Sequence, residues 1–81
     1  MKVDIQLFAA AREAAGNAVV SLHLSDRADV AELRRKLTTA VPALVPLATS
    51  LLVAVNNQYA DDSVPLKDSD EVACFPPVSG G

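Results

Sequence analysis

Asp29–Pro42 reads DVAELRRKLTTAVP, and in it apolar residues recur at helical spacing. Val30, Leu33, Leu37 and the Ala40/Val41 pair fall on one face of a 3.6-residue helix. Asp29 and Glu32 have the spacing of a capping box, in which each side chain satisfies a backbone donor that the first turn leaves free. Arg34, Arg35 and Lys36 take other positions, towards the negative end of the helix dipole. Pro42 ends the helix, because the residue before a proline is steered away from the α region. One helix with a single apolar stripe has to bury that stripe against another layer, and the flanking sequence supplies strands.

On the N-terminal side, Lys2–Leu7 alternates, with Val3, Ile5 and Leu7 on one side and Lys2, Asp4 and Gln6 on the other, the period of a half-buried strand. AAAREAAG, Ala9–Gly16, is a run of helix formers closed by a glycine suited to the left-handed cap, which predicts a short helix or turn. Ala18–Leu24 alternates again and predicts a second strand, paired with the first. On the C-terminal side, Leu51–Val55 is continuously apolar, as in a strand covered on both faces or at the centre of a small sheet. Asn56-Asn57 tolerates positive φ and predicts a turn. A short edge strand fits near Tyr59, Pro65 sits in a loop, Lys67–Asp70 forms a turn, and Glu71–Phe75 is the last strand.

This order predicts an α+β domain over residues 1–75: a mixed sheet of four to five strands, its first and last strands central, with one long helix packed across one face. Residues 76–81 are left as an extended tail. The charge-free stretch from Leu37 to Ala60 is too broken by Pro42, Pro46 and Asn56-Asn57-Gln58 to give the roughly 20 apolar residues that a membrane span needs. It reads as a helix end, a turn and a buried strand.

Composition narrows the function. At 51 % hydrophobic and 21 % charged the chain is an ordinary globular one, but with 4 % aromatics its core has to be aliphatic. The net charge is −3 and no basic stripe exists, so nucleic-acid binding has no electrostatic basis. A single cysteine and the lack of a signal-type N-terminus point to the cytoplasm. Residues for catalysis are sparse. His23, the lone histidine, falls on the polar side of its strand. Cys74 falls in register with Val72 on the core side, where a thiol is a small inert hydrophobe. Asp61-Asp62 and Asp68-Ser69-Asp70 lack the length and glycine of a calcium loop and read as solvated turns.

The tail is the remaining chemical feature. Phe75–Gly81 reads FPPVSGG. Pro76-Pro77 fixes φ twice and favours a semi-rigid extended arm. Gly80 and Gly81 have no Cβ, so they fit a slot too narrow for other residues and present an α-carboxylate at its end. A carboxylate is unreactive until it is joined to AMP, whereupon it acylates. A terminal Gly-Gly is otherwise a frayed end; if this one is threaded and acylated, the domain is a carrier and catalysis belongs to its partners. Since Val72 and Cys74 face inward, Ala73 and Phe75 face outward, and Phe75 either anchors a partner beside the tail or caps the sheet edge.

The FPPVSGG ending, preceded by DSDEVACF, with LLVAVNNQ in the middle and LFAAAREAAG near the start, resembles the small subunits of molybdopterin synthase, a family of ubiquitin-like sulfur carriers. The resemblance spans essentially the whole chain and implies a β-grasp fold. It also implies that the carboxylate of Gly81 is adenylated by an activating enzyme that uses Mg²⁺-ATP, and is then converted to a thiocarboxylate with sulfur from a donor enzyme. The tail, Pro76, Pro77, Val78, Ser79 and Gly80, then enters the large catalytic subunit of a heterotetramer. There the sulfur passes to a cyclic pyranopterin precursor and builds the dithiolene. On this implication the chain binds no cofactor or metal itself and is the non-catalytic donor subunit of a sulfurtransferase. Ser69 stands where glycine is common in the family, and Cys74 where a larger apolar residue is usual. The competing readings are a ubiquitin-like protein modifier, a sulfur carrier for thiamine or tRNA thiolation, and a plain interaction domain with an inert tail.

Overall fold

The computed structural model describes residues 1–77; Val78, Ser79, Gly80 and Gly81 of the expected tail lie outside the described residues. Five strands form one mixed sheet: β1 (Lys2–Leu7), β2 (Val19–His23), β3 (Leu52–Val55), β4 (Gln58–Tyr59) and β5 (Val72–Phe75), in the order β2-β1-β5-β3-β4. β5 runs parallel to β1 and antiparallel to β3, and the outer pairs β1–β2 and β3–β4 are antiparallel. The first and last strands are thus both interior, as expected. Two helices accompany the sheet, α1 (Ala9–Ala15) and α2 (Val30–Ala40), with a 3₁₀ segment at Pro42–Leu47. This is the β-grasp arrangement, with α2 as its long helix.

The core is aliphatic and one-sided. Val3, Ile5 and Leu7 of β1 are buried while Lys2, Asp4 and Gln6 alternate into solvent. Val30, Leu33 and Leu37 of α2 join them, together with Leu22, Val53, Val72 and Cys74. Fully burying one such side chain is worth about 1.5–3 kcal/mol, so this single cluster has to carry most of the fold's stability. Leu44 from the 3₁₀ segment, Leu66 from the loop before β5 and Ala28 from the β2–α2 loop complete it.

The start of α2 departs from the expected capping box in one partner. Asp29 accepts from the Glu32 backbone N–H at 2.9 Å, as the motif requires. The Glu32 carboxylate does not turn back; it accepts from the Ser25 backbone N–H at 2.8 Å and the Ser25 hydroxyl at 2.9 Å. These bonds hold its pKa below the usual carboxylate value. The donors of the first turn go elsewhere: Val30 to the Val64 carbonyl and Ala31 to that of Asp62, which ties the loop before β5 to the helix. Arg34 also departs from expectation. It is a half-buried clamp, donating to the carbonyls of Ala48 and Leu51 and pairing with Asp62 at 3.1 Å, so it fixes the path from the 3₁₀ segment into β3.

Asn56 and Asn57 form the β3–β4 turn with φ of 51° and 69°, the two-residue hairpin geometry with both central residues left-handed. Asn56 has a second task. Its amide donates to Asp70 at 2.9 Å and accepts from the Glu71 backbone N–H at 2.9 Å, locking the hairpin to the entry of β5. The Lys67 backbone N–H and then Asn56 lower the pKa of Asp70, so the stability this carboxylate adds is present above its unfolded pKa and is lost as pH falls through the folded one. Replacing Asn56 by Ala removes both bonds and puts an alanine in the left-handed region. The expected cost is about 1–2 kcal/mol, read as a thermal midpoint lowered by roughly 5–15 °C. Ser69 has no positive φ, so the turn over Lys67–Asp70 does not require the glycine that the family commonly places there.

Candidate functional site

Strand β5 carries the tail out of the middle of the sheet. Val72 and Cys74 point into the core and Ala73 and Phe75 point to the opposite face. The ladder with β3 runs to the pair Leu52–Phe75, and on the other side the Cys74 carbonyl accepts from the Phe8 backbone N–H at 3.1 Å. Next come Pro76, half-buried, and Pro77, exposed. Neither has an N–H to donate, so neither can extend the ladder as a donor, and the chain is free to leave between its neighbours.

At this exit three aromatic side chains meet. The Phe75 ring stands edge-on to Phe8, centroids 6.4 Å apart at 77°, and tilted against Tyr59, 5.6 Å apart at 58°. Together with Gln6, Ala54 and Ala73 they line a shallow groove of ≈ 350 Å³ on the face of the sheet away from α2. Phe8 is 45 % and Tyr59 73 % exposed, and Val19 on the neighbouring edge strand is 50 % exposed. Phe75 thus faces outward, as the alternation of β5 predicts, but it is half covered by its aromatic neighbours. Phe8 and Tyr59 were not identifiable as its companions from the sequence. Their meeting depends on the strand register, and on Ala9, whose φ of 52° turns the chain sharply from β1 into α1.

β3 is corrected at the same place. Of the two readings its continuous apolar run allows, a place inside the sheet holds, since β3 lies between β5 and β4, and cover on both faces does not: Leu51 and Val53 are buried, while Leu52, Ala54 and Val55 are half-buried. Ala54 lines the aromatic groove, and Leu52 lies opposite Phe75.

The sequence's other candidate residues do not assemble into a catalytic centre. Cys74 lies in the core, where burial pushes its thiol up to about 11 against a weaker opposing effect of Arg34, so it is not a nucleophile near neutral pH. His23 is exposed on β2. Asp61 binds the Ser63 hydroxyl and backbone N–H, Asp62 pairs with Arg34, and Asp70 holds the turn described above. Among the described residues, no group of three or more His, Cys, Asp or Glu is placed to hold a metal ion. Nor is any helix among them long and apolar enough to cross a membrane.

A β-grasp sheet whose last strand runs through its middle and ends at Pro76-Pro77 beside an uncovered aromatic groove defines a ubiquitin-like protein. The characteristic sequence pattern of the ThiS family matches residues 5–81, and the chain belongs to that family. It is 37 % identical to the molybdopterin synthase sulfur carrier subunit of Chlamydomonas reinhardtii, covering the full length of both chains. With the protein of the same name from Arabidopsis thaliana it shares 30 % identity over the whole of this chain and 84 % of the relative. Among solved structures it superposes on SAMP1 of Haloferax volcanii with a TM-score of 0.88 at 30 % identity, over the full length of both. On a chain from the complex of subunits 1 and 2 of the molybdopterin-converting factor of Helicobacter pylori the TM-score is 0.71 at 26 % identity, again over both full lengths. A ubiquitin of Caldiarchaeum subterraneum, at 18 % identity and a TM-score of 0.67, shares the fold; the match covers this whole chain and 98 % of the ubiquitin.

Proposed function

We propose that this chain is the sulfur carrier of a molybdopterin synthase. The observation that carries the reading is the position of β5. It is locked between two strands up to Phe75 and released by Pro76-Pro77 beside an aromatic groove, in a chain similar over its full length to sulfur carrier subunits. A rigid body of this kind can dock while its arm reaches into a partner's active site. Docking and chemistry then fall on different residues.

The arm is Pro76, Pro77, Val78, Ser79 and Gly80, and Gly81 presents the carboxylate. An activating enzyme using Mg²⁺-ATP forms the acyl-adenylate, and pyrophosphate leaves. Sulfur from a donor enzyme then displaces AMP to give the thiocarboxylate, which is ionised at neutral pH. In the large synthase subunit the thiocarboxylate sulfur bonds to the cyclic pyranopterin precursor, and water then cleaves the acyl–sulfur bond, leaving the sulfur on the precursor and Gly81 as a carboxylate. None of these steps needs a general base from this chain, in keeping with the burial of Cys74 and the outlying position of His23. The chain itself holds no cofactor, acts in the cytoplasm and assembles with the large subunit as a heterotetramer.

The intact mass of the untagged protein, purified from its own host, tests this reading. A species heavier by the difference between sulfur and oxygen, mapped to the C-terminal peptide, is expected. Only the unmodified mass, even with activating enzyme, ATP and sulfur donor supplied, would refute it.

A second reading, a protein modifier that joins Gly81 to lysines, is favoured by the superposition on the Haloferax volcanii protein, a small archaeal modifier. Both readings share the acyl-adenylate. They part at the product: the modifier leaves Gly81 in an isopeptide bond on other proteins, visible as a C-terminal remnant on lysine after digestion, and the sulfur carrier leaves none.

A further inference from the structure

The two edges of the sheet are unlike. One is β4, 2 residues long, and the other is β2, 5 residues long. The Leu7 N–H donates to the Ala18 carbonyl and the Leu24 N–H to that of Met1, each at 2.8 Å, and in an antiparallel ladder bonded and non-bonded pairs alternate. Ala18, Val20, Leu22 and Leu24 therefore aim their backbone groups at β1. Val19, Ser21 and His23 aim theirs outward, and among the described residues no backbone or side-chain group bonds to them. Such a row is a template for another strand, and proteins ordinarily blunt it with lysine, proline or a bulge. β2 has none of these. Ala18–Leu24 reads AVVSLHL, without charge or proline, and its register with β1 is unbroken. Val19, at its start, is 50 % exposed.

We propose that β2 is the seam of a weak homodimer, pairing antiparallel with β2 of a second copy about a two-fold axis at Ser21. Outward backbone groups at every second residue ask for a strand, and this strand is complementary to itself. In the bonded pairs Ser21 meets Ser21, and Val19 meets His23 of the second copy. Between them the half-buried Val20 lies against Leu22 of the second copy, in the closer non-bonded pairs, so the apolar row on the core side continues across the seam. No like charges stand opposite one another on the paired strands. The assembly also closes: the axis uses β2 of both chains, and β4, the edge that remains on each, is too short to template a further strand. β1 separates β2 from β5, so the groove at Phe75 stays open, and the two β5 strands run in opposite directions about 24 Å apart. The tail chemistry is therefore unaffected, and the proposal stands apart from the sulfur-carrier reading. A seam of one short strand buries less than the roughly 1,000 Å² of a stable interface, which sets the dissociation constant at about 0.1–1 mM.

The test is sedimentation equilibrium of the full-length chain from about 0.02 to about 2 mM, with amide hydrogen exchange followed at both ends of that range. The weight-average mass is expected to rise from the monomer value towards twice it and no further. The amides of Val19, Ser21 and His23 are expected to exchange about fivefold more slowly in the concentrated sample. Val19→Lys sets an ammonium where His23 of the second copy packs, and is expected to weaken association about tenfold or more, although it brings the net charge nearer zero. Gln58→Lys makes the same charge change on the β4 edge and is expected to stay within about twofold of wild type. Thermal melts of the three proteins, expected to coincide, separate these effects from the fold. A chain that is monomeric throughout, a dimer that leaves the three amides unprotected, or equal weakening by the two lysine variants overturns the seam. Association that Phe75→Ala abolishes and Val19→Lys leaves intact overturns it too, and puts the contact between copies at the aromatic groove.

Discussion

Appending one alanine after Gly81 is expected to abolish thiocarboxylate formation and sulfur transfer while leaving thermal stability unchanged. The fold does not depend on the addition, because the buried cluster ends at Cys74 and the last ladder pair at Phe75. The chemistry does depend on it. One residue moves the carboxylate by up to about 3.3–3.6 Å along the arm, and displacement by even ~1 Å from a reacting geometry can cost about a hundredfold in rate. It also places a Cβ in a slot that two glycines leave empty. Intact mass after incubation with activating enzyme, ATP and sulfur donor gives the first readout. Binding to the large subunit gives the second, and is expected to persist, since the groove at Phe75 is untouched. A thiocarboxylate on the added alanine would show that the terminal glycines are not selected by a narrow slot. Full sulfur transfer by the extended chain would show that the exact position of the terminal carboxylate does not govern the chemistry.

The fold was readable where a single element faces both core and solvent. In β1 the apolar period matches the buried face residue for residue, and in α2 it does so at Val30, Leu33 and Leu37 but not at the helix end, where Ala40 is exposed and Val41 half-buried; over these stretches the other face is wet and selects polar side chains. Where that contrast fails, the reading fails too. β3 is apolar throughout, and its sequence could not tell that only one of its faces is covered by the rest of the chain. Leu44 is buried from a short 3₁₀ segment and Leu66 and Ala28 from loops, none of which has a sustained period to betray them. Arg34 follows the helix pattern of an exposed cation, and only the fold brings the carbonyls of Ala48 and Leu51 within its reach. The candidate site divides along the same line. The outward direction of Phe75 followed from alternation with Val72 and Cys74, whereas its contacts with Phe8 and Tyr59 are products of strand order. The expected tail residues Val78–Gly81 lie beyond what the structure describes, so their roles rest on chemistry and resemblance.

Phe75→Ala is expected to weaken binding to the large subunit by about 30-fold or more, the effect of removing a hot spot worth at least about 2 kcal/mol. Two features of the site support a value at that level. The ring lies on the last residue of the ladder, immediately before Pro76-Pro77, so its burial by a partner fixes the point from which the tail starts. It is also flanked by Phe8 and Tyr59, which can shield it from water in a complex, the environment in which an aromatic anchor counts most. The same contacts stabilise the free protein by about 0.5–1.5 kcal/mol for each of the two aromatic pairs, so the melting temperature should fall by roughly 2–12 °C per pair, a loss that leaves the chain folded at the temperature of the binding measurement. Affinity and stability therefore separate, and the comparison decides between the two roles open to this residue. A large loss of affinity with a small loss of stability identifies a docking anchor. A large loss of stability with little change in affinity identifies a cap on the sheet edge, and tail entry would then have to be guided by other residues of the open face.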